Sequence, residues 1–371
     1  MNPRTSLAFI VLIFLTSGCL SEDPEVNEQD LEVEELVELD NPWGIDFVTE
    51  SEALVTEKSG ELALIDIEDQ SLDYFNGVPN VADVGQGGLL DVEYSDGEVF
   101  LTYSDSNGEG YATHLGKAEI DFESLELDNF EVLEVAEPFQ SSGQHFGSRV
   151  IVDEDYVYFT SGDRGDKNFD DHVSQQTDNE LGATLRVYRN GSVPESNPFT
   201  DNEEFVDTIY SYGHRNSQGM TMQNGEIWQS EHGEEDGDEI NIIEKGGNHG
   251  WPETHTGCEY GTERPVGEHP EDREEIINPV YYWECGTGGF PPAGMTFYTG
   301  EELEEFQGDL FIGNLAGQYL GRFTVDNEEV TEEDPLLEEE GMRIRDVEEG
   351  PDGNLYVLAD GSDAALLKLE G

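Results

Sequence analysis

Ala53-Leu54-Val55-Thr56 is a short β-rich run that leads straight into the polar stretch Glu57-Lys58-Ser59-Gly60. The same cadence returns at Val99-Phe100-Leu101-Thr102, Val157-Tyr158-Phe159-Thr160, Ile227-Trp228-Gln229-Ser230, Leu310-Phe311-Ile312-Gly313 and Leu355-Tyr356-Val357-Leu358. Successive copies start 46, 58, 70, 83 and 45 residues apart. Five of the six are preceded by turn signals: Asp96-Gly97, Asp153-Glu154-Asp155, Asn224-Gly225, Gln307-Gly308 and Asp352-Gly353. Short β runs reached through turns, at periods near or above 45 residues, are the pattern of propeller blades. Six copies predict an all-β, six-bladed β-propeller over residues 41–371. The long intervals then hold large loop insertions, where function usually resides. A two-sheet sandwich is the competing architecture. Few segments carry a 3.6-residue apolar period, so helix is minor.

Outward from the repeats, charge dominates. The 371 residues hold 86 Asp and Glu against 16 Lys and Arg, a net charge of −70. The acids are spread along the chain beside turns and aromatics, so the composition is not that of a disordered acidic tail. A solvated acidic surface suits a high-salt setting, where the Debye length is ~3 Å at 1 M. No basic stripe exists to neutralise phosphates, which argues against a nucleic-acid partner.

The N-terminus reads as an export signal. Arg4 precedes a nine-residue apolar run, Leu7 to Leu15. As a helix it would reach about 14 Å, too short for a hydrocarbon core of ~30 Å. Leu15-Thr16-Ser17-Gly18-Cys19 then resembles a lipobox, with Cys19 as the lipidation site. Residues 1–19 are thus expected to be a lipoprotein signal peptide and 20–40 an acidic tether. The chain is expected on the outer face of the cell membrane, attached through lipid alone. In an oxidising compartment Cys258 and Cys285 can pair, and closing that loop would contribute roughly 3.5 kcal/mol; two free thiols are the alternative.

Four polar segments lie in β-rich context. Gly85-Gln86-Gly87-Gly88 offers close backbone approach and one amide. His145 precedes Gly162-Asp163-Arg164-Gly165 by one strand, and an imidazole beside a carboxylate makes an oriented general base. Arg215 and Asn216 offer a forked cation and an amide suited to an anionic or carbonyl ligand. The loop Glu231 to Glu239, acidic and broken by glycine, could supply oxygens to calcium, though it is not an EF-hand. Arg343 and Arg345 fall on one face of a strand. They repel unless an anion lies between them; surface ion pairing is the plain alternative. No GxSxG, HExxH, Walker loop, CxxC or nicotinamide-binding GxGxxG motif is present.

Taken together these segments resemble the pyrroloquinoline quinone (PQQ)-dependent sugar dehydrogenases, the soluble glucose and aldose sugar dehydrogenases, from about Asp40 onward. The likeness also draws on Tyr212-Gly213-His214-Arg215-Asn216-Ser217-Gln218-Gly219 and Gly246-Gly247-Asn248-His249-Gly250-Trp251-Pro252. The resemblance implies a six-bladed propeller that oxidises aldoses at C1 to lactones, using PQQ and Ca2+, and passes electrons to a soluble or membrane acceptor. It implies that His145 takes the C1 hydroxyl proton, Asp163 orients His145, and Arg215 polarises the reacting carbonyl. Gln86, Asn216, Arg343 and Arg345 would hold PQQ. The carbonyls of Gly233 and Glu234 would bind the cofactor's calcium, and Glu239 with the carbonyl of His249 a second, structural calcium. Two departures stand out: Glu234 replaces a proline and Ala316 a lysine of the glucose dehydrogenase branch. Two other readings compete: a non-catalytic propeller that binds glycan or protein, and a calcium-dependent sugar lactonase.

Overall fold

The computed structural model describes residues 31–371. The expected signal peptide, Cys19 and the tether as far as residue 30 lie outside the described residues. Six four-stranded antiparallel sheets make up the fold. Each of the six repeated runs forms the second strand of its blade: Glu52–Glu57, Glu98–Ser106, Tyr156–Ser161, Glu226–Glu231, Leu310–Asn314 and Leu355–Ala359.

These strands are apolar at consecutive positions because each blade is sandwiched between two others. Successive side chains point to opposite faces, so Ala53 and Val55 pack towards the last blade while Leu54 packs towards the second. Six clusters of buried apolar side chains accordingly lie one at each blade-to-blade interface, and a seventh joins Trp43, Leu90 and Phe146. Of the six interface clusters, that between the third and fourth blades is the smallest, with Tyr158, Met220, Ile227 and Ile243. There Arg186 lies over the rings of Tyr156, Tyr158 and Tyr210.

The ring closes with a strand from the N-terminal side. Glu32–Leu39 pairs with Ala364–Glu370 as the outer strand of the last blade, from Glu32 opposite Glu370 to Leu39 opposite Ala364. The tether expected over 20–40 is corrected at this end. Leu36, Val37 and Leu39 are buried against Tyr356, Leu358 and Leu366. A register shift between Glu35 and Val37 breaks the alternation and lets two neighbouring side chains turn inward.

The first strands of neighbouring blades contact one another all the way around the ring. On the axis, Arg149 Nη1 donates to Asp91 (2.9 Å) and Asp346 (2.7 Å), and its Nε donates to the Gln218 carbonyl (2.6 Å). One buried cation thereby ties four blades together. First strands run away from one face of the disc and second strands return to it. The loops before the former and after the latter therefore converge on that face, and this places the site.

Candidate active site

At the converging face lies a cavity of about 480 Å³, within the range of small-molecule sites. Its wall includes Gln86, His145, Arg215, Asn216, Gly233, Glu234, Arg343 and Arg345, eight of the site residues expected from sequence. Lys58 joins them, so four of the chain's sixteen Lys and Arg surround one cavity. The same wall carries five carboxylates, Glu234, Glu235, Asp236, Asp238 and Asp360, so the cavity is densely charged in both signs.

His145 is held from three sides. Its backbone adopts a left-handed φ of 49°, its N–H donates to Gln86 Oε1 (2.7 Å) and its Nδ1 meets Asp163 Oδ1 (2.6 Å). Gly162 is required beside it, because a Cβ there would stand 2.3 Å from the His145 carbonyl oxygen. Asp163 is fixed in turn by Gly165 N–H (2.7 Å) and Trp251 Nε1 (2.9 Å). Burial alone would raise the Asp163 carboxyl, but hydrogen bonds from His145 and His172 hold it far below the usual range. Burial pushes His145 below 6.5, only partly offset by Asp163. The outcome is an anion holding a neutral imidazole: Nδ1 carries the proton, and Nε2 keeps a free lone pair.

Arg215 follows the same logic. Its Nη2 donates to Glu234 Oε2 (2.8 Å) and its Nη1 to the His232 carbonyl (3.3 Å). Its Nε is buried with no partner among the described residues. His232 is kept neutral by burial and by Arg215 beside it. Asn216 spends its Oδ1 on Gly147 N–H (3.0 Å), so it braces the His145 loop as well as lining the cavity.

The anion between Arg343 and Arg345 is Asp360, which sequence reasoning missed. Its Oδ2 accepts from Arg343 Nε (2.6 Å) and its Oδ1 from Arg345 Nε (2.9 Å) and Nη2 (2.6 Å). Asp360 follows a second strand as Asp163 and Glu234 do, and that position was its available signal. The Glu234 side chain is also a finding: besides Arg215 it meets Lys167 across the loops. Ala316 does not line the cavity, whereas Lys58, paired with Asp83 at 2.9 Å, does.

Gly233 N–H donates to Asp238 Oδ1 (2.9 Å), and the carbonyls of Gly233 and Glu234 accept no hydrogen bond from any described residue. Glu239 and His249 lie away from the cavity. Glu239 is buried with His255 (3.5 Å) and Asn241 (3.4 Å). His249 stacks on His214 at 4.5 Å, its two ring nitrogens buried without partners among the described residues. No group of three or more acidic, His or Cys side chains among the described residues is arranged to hold a metal. Cys258 and Cys285 form a disulfide, Cα atoms 5.4 Å apart. Its loop brings Tyr260, 62% exposed, to the cavity wall, a residue with no signal in the sequence.

Fold and site together define a six-bladed propeller with an oriented, buried imidazole base in the wall of a densely charged cavity. The family described as Glucose / Sorbosone dehydrogenase matches residues 39–368, and the chain belongs to it. Aldose sugar dehydrogenase YliI of Escherichia coli (strain K12) is 34% identical over 99% of this chain and 98% of its own length. The crystal structure of the soluble aldose sugar dehydrogenase from Escherichia coli, in its apo form, superposes with a TM-score of 0.85 at 34% identity, covering 92% of this chain and 99% of that one. The PQQ-bound aldose sugar dehydrogenase of Streptomyces coelicolor shares the fold, with a TM-score of 0.74 at 23% identity over 92% and 98% of the two chains.

Proposed function

We propose that this protein oxidises aldose sugars at C1 to lactones with bound PQQ and Ca2+, and hands the electrons to an external acceptor. The observation that carries the reading is His145, held by Asp163 at 2.6 Å in the wall of a cavity that Lys58, Arg215, Arg343 and Arg345 also line. The residues could hold the cofactor: a tricarboxylate would find these four cations in the wall and share them with Asp83, Glu234 and Asp360, which pair with them in the structure. PQQ would supply the two-electron acceptor for the hydride leaving C1. His145 Nε2 receives the C1 hydroxyl proton, and Asp163 stabilises the imidazolium that results. Arg215 presents preorganised positive charge. The free carbonyls of Gly233 and Glu234 suit a hard, oxygen-seeking cation, and Glu239 with the His249 carbonyl is kept as the second calcium site. Export, lipidation at Cys19 and a place on the outer membrane face complete the proposal.

Reconstitution tests it. Chelator-stripped protein is titrated with PQQ and calcium in molar salt, and the quinone absorbance is followed as aldoses are added. Stoichiometric uptake and sugar-dependent reduction are expected. His145→Ala should lose turnover by ~10²–10⁴-fold while still taking up PQQ. Folded protein without uptake would return the chain to the glycan- or protein-binding reading, and lactone hydrolysis without quinone to the lactonase reading.

A further inference from the structure

The pattern Asn-Xaa-Ser/Thr occurs once in the 371 residues, at Asn190-Gly191-Ser192. It forms the turn that follows the third strand of the third blade, Ala183–Tyr188, and Asn190 is exposed. The Ser192 hydroxyl donates to Asn190 Oδ1 (2.7 Å), and the Ser192 N–H donates to the same oxygen (3.1 Å). The Tyr188 N–H donates to the Ser192 carbonyl (2.8 Å) and closes the turn. Gly191 sits at φ 78°, where a larger residue would be strained. Arg189 anchors the base of the turn to the second blade through Ser95 Oγ (2.9 Å) and Glu98 Oε2 (3.0 Å).

This geometry has chemical consequences. An amide nitrogen is a weak nucleophile because its lone pair is shared with the carbonyl. Two hydrogen bonds on Oδ1 draw electron density to oxygen and ease loss of a proton from Nδ2. The turn also opens away from the catalytic cavity. Ala183 pairs with Ser161 at the cavity end of the blade, and Tyr188 with Tyr156 at the far end.

We propose that Asn190 is an N-glycosylation site. Asn190 Nδ2 forms a bond to the anomeric carbon of a lipid-phosphate-linked glycan. The anomeric C–O bond to phosphate breaks, the lipid phosphate leaves with the bonding electrons, and Nδ2 gives up one proton. The modification belongs to a surface turn of an exported chain, so the inference rests on the export reading above. A glycan there adds a large solvated group to the face opposite the site and leaves the cavity open.

The test uses the full chain from its native host. Proteolytic peptides are analysed by mass spectrometry, and protease shaving of whole cells reports where the chain resides. The peptide containing Asn190 should carry added sugar mass. That mass should be lost in Asn190→Gln and in Ser192→Ala, and kept in Ser192→Thr. Reconstituted sugar oxidation by Asn190→Gln should equal that of the parent, which shows the variant is folded. An Asn190 that is unmodified, or merely deamidated, in protein exposed outside the cell overturns the proposal alone. An unmodified Asn190 in protein held inside the cell overturns it together with the export reading.

Discussion

At the scale of the residue, His145 is set by burial on one side and an anion on the other. Its left-handed backbone costs on the order of 1–3 kcal/mol, offset by the contacts with Gln86 and Asp163. Because burial places its pKa below 6.5, the base is active when neutral, and the acid limb of kcat should fall below that value. Asp163→Asn removes the anion that partly restores the pKa, so the limb should move lower still as the rate drops. A pH–rate profile with its acid limb above pH 7 would contradict the assignment. Glu234 is the second residue of interest, since its carboxylate neutralises Arg215 in the cavity wall, where the proposed cofactor would bring carboxylates of its own. A charge pair at ~4 Å is worth ~4 kcal/mol near a protein surface before compensation. Glu234→Gln should therefore tighten PQQ binding by roughly tenfold, read by absorbance titration without calcium. Weaker binding would show that Glu234 matters by orienting Arg215 rather than by its charge.

At the scale of the element, two kinds of strand differ in how openly their sequence declares them. The second strands are buried on both faces, so each shows a continuous apolar run, and all six were legible. The closing strand Glu32–Leu39 is buried only at Leu36, Val37 and Leu39 and carries four glutamates. Its register shift removes the simple alternation, so it reads as tether. Its importance is larger than its composition suggests, because it closes the ring between the last blade and the first. Leu39→Ala should cost about 2–4 kcal/mol, seen as a lowered urea midpoint. A change within about 0.5 kcal/mol would mean that the ring closes without this contact.

At the scale of the whole molecule, the charge of −70 makes salt and pH the main controls on stability. Buried Asp91 and Glu180 are each pushed up to about 7, chiefly by burial. The folded state therefore binds protons that the unfolded chain has released above its ordinary carboxylate range. Their contribution is fully present below about pH 4 and is lost as pH rises through about 7. At fixed molar salt the denaturation midpoint should fall between pH 5.5 and pH 8 by this linkage. A midpoint that rises across this window would show that Asp91 and Glu180 ionise freely in the fold.

By itself the sequence determined the blade count, the His145, Asp163 and Arg215 constellation, and the family likeness. Those signals are local: a run buried on both faces is apolar throughout, and loop motifs keep their order along the chain. Tertiary structure alone decided that Asp360 is the anion between Arg343 and Arg345, and that the Glu234 side chain binds Arg215 across two loops. It also decided that Lys58 joins the cavity and that Glu32–Leu39 closes the ring. The two carboxylate pairs each join the entrance to a blade's first strand to the loop after its second, 15 to 19 residues on, whereas Lys58 and the closing strand depend on the assembled ring. In a chain with 86 acids no carboxylate declares its partner until the fold brings the two together.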